Sequence, residues 1–348
     1  MSVREELPAP TSPSASLTRW QRLGPILLLL FFAPLSGELL SGATRLSYIF
    51  VLIPEIMVWG VGALLIREAV RRTRRGWPSL ISLGLALGVA EECAIQQTSF
   101  SPIVGLDPLH IYGRVFGVNW VWFFALIIFE CVWIVLVPVQ VVELLFPSRR
   151  NHPWLRSRGI VISSVVFLLG SCIAWYLWTQ RARPIAFHVP IYTPPLAYIL
   201  AGLVVILILI AIAFSFRADS GPPIIAARRA PVPIVTGIAA AILSVPAFLF
   251  IGLNFMPRRL PPSWISIAAG IVWAVLALAI IRFWAASPAW SDMHRYALVF
   301  GALIACMASS YASPGWLRLD FIGKVVINVV AVILLILLGF VLKRRSAL

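Results

Sequence analysis

"SLISLGLALGVAEECAIQQTSF", residues 79–100, is an apolar run that carries two adjacent carboxylates, Glu91 and Glu92, near its end, with Gln96 and Gln97 just beyond them. At 1.5 Å per residue, about twenty apolar residues cross the roughly 30 Å of bilayer hydrocarbon. If the pair ends the run, the segment is a buried helix of an ordinary soluble core. If the pair lies inside it, the segment is a membrane span with acids where lipid should be. The rest of the chain decides for the second reading.

The 348 residues are 61% hydrophobic and 12% charged, with a mean hydropathy of +0.96. Soluble domains carry about 25% charged residues. The apolar residues fall into ten blocks, predicted at 24–42, 47–66, 79–98, 119–146, 159–179, 194–214, 231–254, 263–285, 294–311 and 321–342. The expected fold is therefore all-α, a polytopic transmembrane helix bundle of ten spans.

Charge orients it. Of the 28 lysines and arginines, 20 fall in segments that share a side with both termini, including "RRTRR" at 71–75 and the closing "KRR". Basic residues concentrate on the cytoplasmic side, so both ends are expected inside. The net charge of +15 is spread in short clusters between apolar blocks, which argues against nucleic acid as a partner. The lipid bilayer is the expected surrounding.

Residues 1–23 are polar and rich in proline and serine, and are expected to form a disordered cytoplasmic tail. Residues 24–146 form a first, four-helix unit, because ten of the 13 acidic residues occur at or before Glu143. Residues 147–348 form a six-helix, mostly apolar scaffold. Cys93, Cys131, Cys172 and Cys306 all lie inside apolar blocks and read as small buried hydrophobes.

Glu38, Glu55, Glu91, Glu92, Glu130 and Glu143 fall inside predicted spans. An ionised side chain at the bilayer centre costs roughly 2.5–3.5 kcal/mol, so such residues face a bundle interior or a wet cavity and are functional by default. Helical rise places Glu38, Glu55, Glu91, Glu92 and Glu130 in one slab about two turns thick near the outer side, with Glu143 apart at the cytoplasmic end. On a continuous third helix, Glu92, Gln96 and Ser99 share a face, and Glu91 points about 100° away. Two acids this close must share a proton or hold a cation between them. Glu91, Glu92 and Glu130 are the candidate catalytic residues, with Glu38, Glu55, Gln96, Gln97 and Ser99 in support. A divalent metal is conceivable, although His110, His152, His188 and His294 all lie in loops or at a span edge. The segment 99–118 reads equally as a surface loop and as a lid over the third span.

The tandem glutamate in "AEECAIQQ" resembles the first motif, E-E-x-x-x-R, of the CPBP (CAAX-protease and bacteriocin-processing) glutamic intramembrane proteases, with Gln96 at the arginine position. In that family the glutamates activate water for peptide hydrolysis and histidines complete the site. Here the next span offers Glu130, in "IFECVW", and no F-x-x-x-H motif is present. The layout of residues 34–147 is similar to that of uncharacterised bacterial multi-pass membrane proteins, through "SGELLSG", "GALLIREAV", "EECAIQQTSF" and "PVQVVELLFP".

These resemblances imply a divergent or inactive intramembrane peptidase in a bacterial inner membrane, acting on a membrane-embedded or lipidated peptide. The residues alone leave two alternatives open. One is a proton- or cation-coupled transporter, and the other is a non-catalytic membrane scaffold with neutral acids clasping helices.

Overall fold

The computed structural model describes residues 18–107, 110–216, 224–225, 227–255, 260–312 and 317–346. Ten helices among them are long and apolar enough to cross a membrane: α1 (Arg19–Leu39), α2 (Leu46–Arg72), α3 (Trp77–Ile95), α4 (Trp120–Leu145), α5 (Ser157–Ala186), α6 (Leu196–Ser215), α7 (Pro233–Leu253), α8 (Ser263–Ala285), α9 (Asp292–Ala312) and α10 (Arg318–Arg345). A two-residue ribbon, β1 (Arg114–Val115) and β2 (Val118–Asn119), precedes α4. The protein is an all-α polytopic bundle, and the ten blocks of the sequence are its ten helices. The tail expected at 1–23 lies outside the described residues as far as residue 17. Thr18 already caps α1, accepting from the Gln21 amide at 3.2 Å while the Gln21 side chain accepts from its own.

The start of α1 and the end of α10 lie at one end of the bundle, here called the termini end. Trp20 packs against Phe146 with ring centroids 6.0 Å apart, and Arg345 donates to the Leu144 carbonyl. At the opposite end, here called the cap end, Asp320 accepts from the Ser47 amide and hydroxyl at 2.9 and 3.0 Å.

Burial is uneven. Leu29, Val58, Leu64, Leu80, Leu87, Ile134 and Val139 pack α1 to α4 into one apolar core. A second core joins α4 to α9 and α10 through Phe129, Trp133, Val299, Leu303, Cys306 and Leu338. Helices α5 to α8 keep most of their surface exposed, the face a bilayer would cover. Helix α9 fits against α7 because both are stripped of bulk: a Cβ at Gly301 would stand 2.1 Å from the Gly237 carbonyl oxygen. Small residues allow such close backbone approach between membrane helices.

Several boundaries differ from those expected, among them the start of α1 at Arg19 and the end of α5 at Ala186, and two of the differences bear on the buried charges. Helix α2 runs on to Arg72 rather than stopping near residue 66, carrying Arg67, Glu68 and Arg71 into the bundle. Arg67 is fully buried and uses all five of its N–H groups. Nε donates to Glu143, Nη1 to Glu68 and the His152 carbonyl, and Nη2 to the carbonyls of Arg149 and Arg150. Its guanidinium lies 3.6 Å from the Trp154 ring, and Arg71 pairs with Glu143 at 2.7 Å. Glu143 thus belongs to a clasp at the termini end. Helix α3, in turn, ends at Ile95 and not at residue 98. Cys93, Cys131 and Cys306 are buried as expected, but Cys172 is exposed, because it lies on the outward side of α5.

Candidate functional site

Four helices carry the remaining buried glutamates, and each departs from α geometry beside them. Wider π turns occupy Leu35–Leu39 in α1, Ile56–Gly60 in α2, Glu91–Ile95 in α3 and Glu130–Leu136 in α4. Glu38, Glu91, Glu92 and Glu130 lie within these turns, and Glu55 immediately precedes one. Such bulges recur at functional sites, because an extra residue in one turn re-aims side chains. Prolines stand beside three of them, at 34, 54 and 138. A proline supplies no amide to the ladder, which makes that stretch of helix easier to widen.

Glu91 is the hub. It is 1% exposed, and it lies close enough to Glu92, Glu38, Glu55 and Glu130 to feel their charge. Its neighbouring side-chain donor is Gln96, and no well-formed hydrogen bond reaches either carboxylate oxygen. Glu130 reaches it across the α3–α4 contact, where Gly88 makes room. A Cβ on Gly88 would meet Glu130 Oε2 at 3.1 Å and the Ile127 Cα at 2.9 Å. Glu130 Oε2 is likewise buried and unpartnered. Burying a polar group without a partner costs roughly 1–3 kcal/mol, so each orphan asks for an explanation.

Glu92 is different. Its Oε2 accepts from the Thr98 hydroxyl at 2.5 Å and the Ser99 hydroxyl at 2.9 Å. Glu92 and Ser99 do meet, but not along a shared helical face. The helix has ended, Gln97 takes a left-handed conformation at φ +58°, and the chain turns back so that Thr98 to Ser101 are buried. The first residues after α3 therefore fold back over Glu92 as a short lid.

The lid is pinned from three directions. Asn119 donates to the carbonyls of Thr98 and Ser101 at 2.9 and 2.8 Å. Arg114 holds Asn119 at 2.5 Å and the Phe100 carbonyl at 2.9 Å. Arg183, 2% exposed at the end of α5, donates to the Ser101 hydroxyl at 2.5 Å and the Pro102 carbonyl at 2.6 Å. Thr98, Asn119, Arg114 and Arg183 did not stand out in the sequence. The hydroxyl-rich "TSFS" at 98–101 was the available signal, since hydroxyls beside a buried acid are its natural donors.

On the other flank, Thr44 stands between Glu38 and Glu55, its hydroxyl 3.2 Å from the first and 2.5 Å from the second. Gln96 lies beside Glu91 at the end of α3, and Gln97 is buried as the hinge of the lid. His110 and His188 are exposed, His110 pairing with Asp107 at 2.6 Å. Among the described residues, no three histidine, cysteine, aspartate or glutamate side chains are grouped to hold a metal ion. The five carboxylates thus lie on four neighbouring helices in three settings: Glu38 and Glu55 bridged by Thr44, Glu92 held by the turn after α3, and Glu91 and Glu130 buried on the two sides of the α3–α4 contact.

No curated protein and no solved structure matches the chain. One family does, over residues 27–348, and its description is an uncharacterized membrane protein family. The match takes in the glutamates from Glu38 to Glu143, the lid and the Arg67 clasp, and the chain belongs to this family of multi-pass membrane proteins.

Proposed function

We propose that the chain is an intramembrane peptidase in which Glu91 acts as general base, along the lines of the CPBP proteases that its glutamate pair resembles. The observation that carries this reading is the state of Glu91. It is buried beside carboxylates of its own and neighbouring helices, with Gln96 as its neighbouring side-chain donor and no well-formed hydrogen bond to either oxygen. An ionisable group kept so inside a membrane bundle is a candidate for proton chemistry.

In this reading Glu91 takes a proton from a water molecule as the water oxygen bonds to the carbonyl carbon of a peptide within the bilayer. The tetrahedral intermediate then collapses, the C–N bond breaks, and Glu91 returns the proton to the leaving nitrogen. Glu130, facing Glu91 past Gly88, shares the proton between the two steps, as carboxylate pairs do in other peptidases. Gln96 orients Glu91. Glu92 is engaged by Thr98 and Ser99 and positions the lid rather than the water.

The test is to compare peptide termini in membranes carrying the wild-type chain, Glu91→Gln, Glu130→Gln and the lipid-facing control Cys172→Ser. New termini within membrane segments are expected with the wild type and the control and are lost in both glutamate variants. Identical termini in all four samples would overturn the reading.

A further inference from the structure

The contact of Thr44 with Glu38 and Glu55 poses a problem of hydrogen counting. A threonine hydroxyl has a single proton to donate. At 2.5 Å from Glu55 Oε1 and 3.2 Å from Glu38 Oε2, it satisfies the nearer oxygen and leaves the farther one facing a lone pair. Glu55 is 5% exposed, and its Oε2 has no partner either. One oxygen each of Glu38 on α1 and Glu55 on α2 thus meets the Thr44 hydroxyl of the α1–α2 turn, with one hydrogen between them and the second Glu55 oxygen buried without a partner. The nearby Lys324 ammonium does not resolve this, because it is taken up by the backbone carbonyls of Leu39 and Leu40.

A proton added to either acid would satisfy one lone pair. A cation satisfies several at once, and an all-oxygen donor set of carboxylates and hydroxyl suits a hard ion rather than zinc or copper. The position is right for exchange with water: Glu38 and Thr44 are partly exposed at the cap end, while Glu55 forms the closed floor. We infer that Glu38, Thr44 and Glu55 form a binding site for one small hard cation, Na⁺ or Ca²⁺, separate from the Glu91–Glu130 pair.

The test is thermal unfolding of the detergent-purified full chain in NaCl, CaCl₂ or choline chloride at matched ionic strength, with radiolabelled sodium or calcium binding measured beside it. One of the two cations is expected to raise the midpoint of the wild type and of the outward-facing control Cys172→Ser, and to bind at about one ion per chain. The shift and the bound ion are lost in Glu55→Gln and Thr44→Val and kept in Thr44→Ser. Which cation acts identifies the ion. No shift and no binding with either cation in the wild type, or a shift that survives Glu55→Gln, overturns the inference. Direct binding to the wild type keeps the test decisive if a variant fails to fold. Because Thr44→Val removes the ion while Glu91 and Glu130 stay in place for the peptide cleavage above, the two proposals fail independently.

Discussion

The Thr98 hydroxyl stands 2.5 Å from Oε2 of Glu92, six residues back along the chain. That contact exists because α3 stops at Ile95 and the chain reverses at Gln97, so the cap end of the helix is closed by its own continuation. The segment that closes it is held by a countable set of polar contacts.

Removing those contacts should loosen the lid alone. Asn119→Ala leaves the carbonyls of Thr98 and Ser101 without their donor, and Arg183→Gln removes the charged hold on Ser101 and Pro102. Hydrogen exchange at amides 97–103 is expected to rise in both variants, while α4 amides between residues 137 and 145 keep their protection. Local opening of this kind reports low-stability segments directly.

Arg67 is expected to be a stability residue. Arg67→Leu leaves the carbonyls of Arg149, Arg150 and His152 without that donor, while Glu143 keeps Arg71 and Glu68 keeps the Trp154 and Leu155 amides, and each buried group left unsatisfied costs roughly 1–3 kcal/mol. Arg67→Lys should recover little of this, because an ammonium cannot reproduce a planar five-donor fork. Unfolding midpoints in detergent check both, and a neutral Arg67→Leu would remove the clasp from the account.

The α3–α4 approach gives a steric test. Gly88→Ala places a methyl group 2.9 Å from the Ile127 Cα and against Glu130, whereas Gly252→Ala meets nothing within 4 Å. Overpacking costs about 1–3 kcal/mol. Gly88→Ala is expected to lower the melting midpoint and to displace Glu130, with Gly252→Ala silent in the same measurement.

Added bulk at the cysteines checks the packing as a whole. Cys93, Cys131 and Cys306 are buried and Cys172 is exposed on α5, on the face a bilayer would cover. Overpacking a core costs about 1–3 kcal/mol, so Cys131→Leu and Cys306→Leu are expected to lower the melting midpoint in detergent and Cys172→Leu to leave it unchanged. A silent Cys306→Leu would contradict the helix arrangement.

The spans were legible because hydropathy is a local property: each block of about twenty apolar residues became a helix. The ends were less so. Arg67 and Glu68 read as the edge of a span because charges usually mark one. Here Glu143, Trp154 and three carbonyls from distant positions satisfy them inside the bundle. The glutamates stood out by their cost in lipid, and their depth could be counted from helical rise. Their grouping depends on helix rotation and on π turns, which composition does not encode. Ser99 was paired with Glu92 for the wrong reason, a continuous helical face, where a turn at Gln97 does the work. Thr44 and Arg183 act on partners in other segments of the chain and carry no local signature.

The most direct test of the central claim is the rate at which purified protein in proteoliposomes cleaves a quenched-fluorescent membrane-spanning peptide, wild type against Glu91→Gln. Loss of a general base lowers the rate by about 10²–10⁴-fold, and that is the expected result, with wild-type melting behaviour retained. Equal rates in the two proteins, or no cleavage by a folded wild type across a broad peptide set, would contradict the assignment of Glu91 as the base.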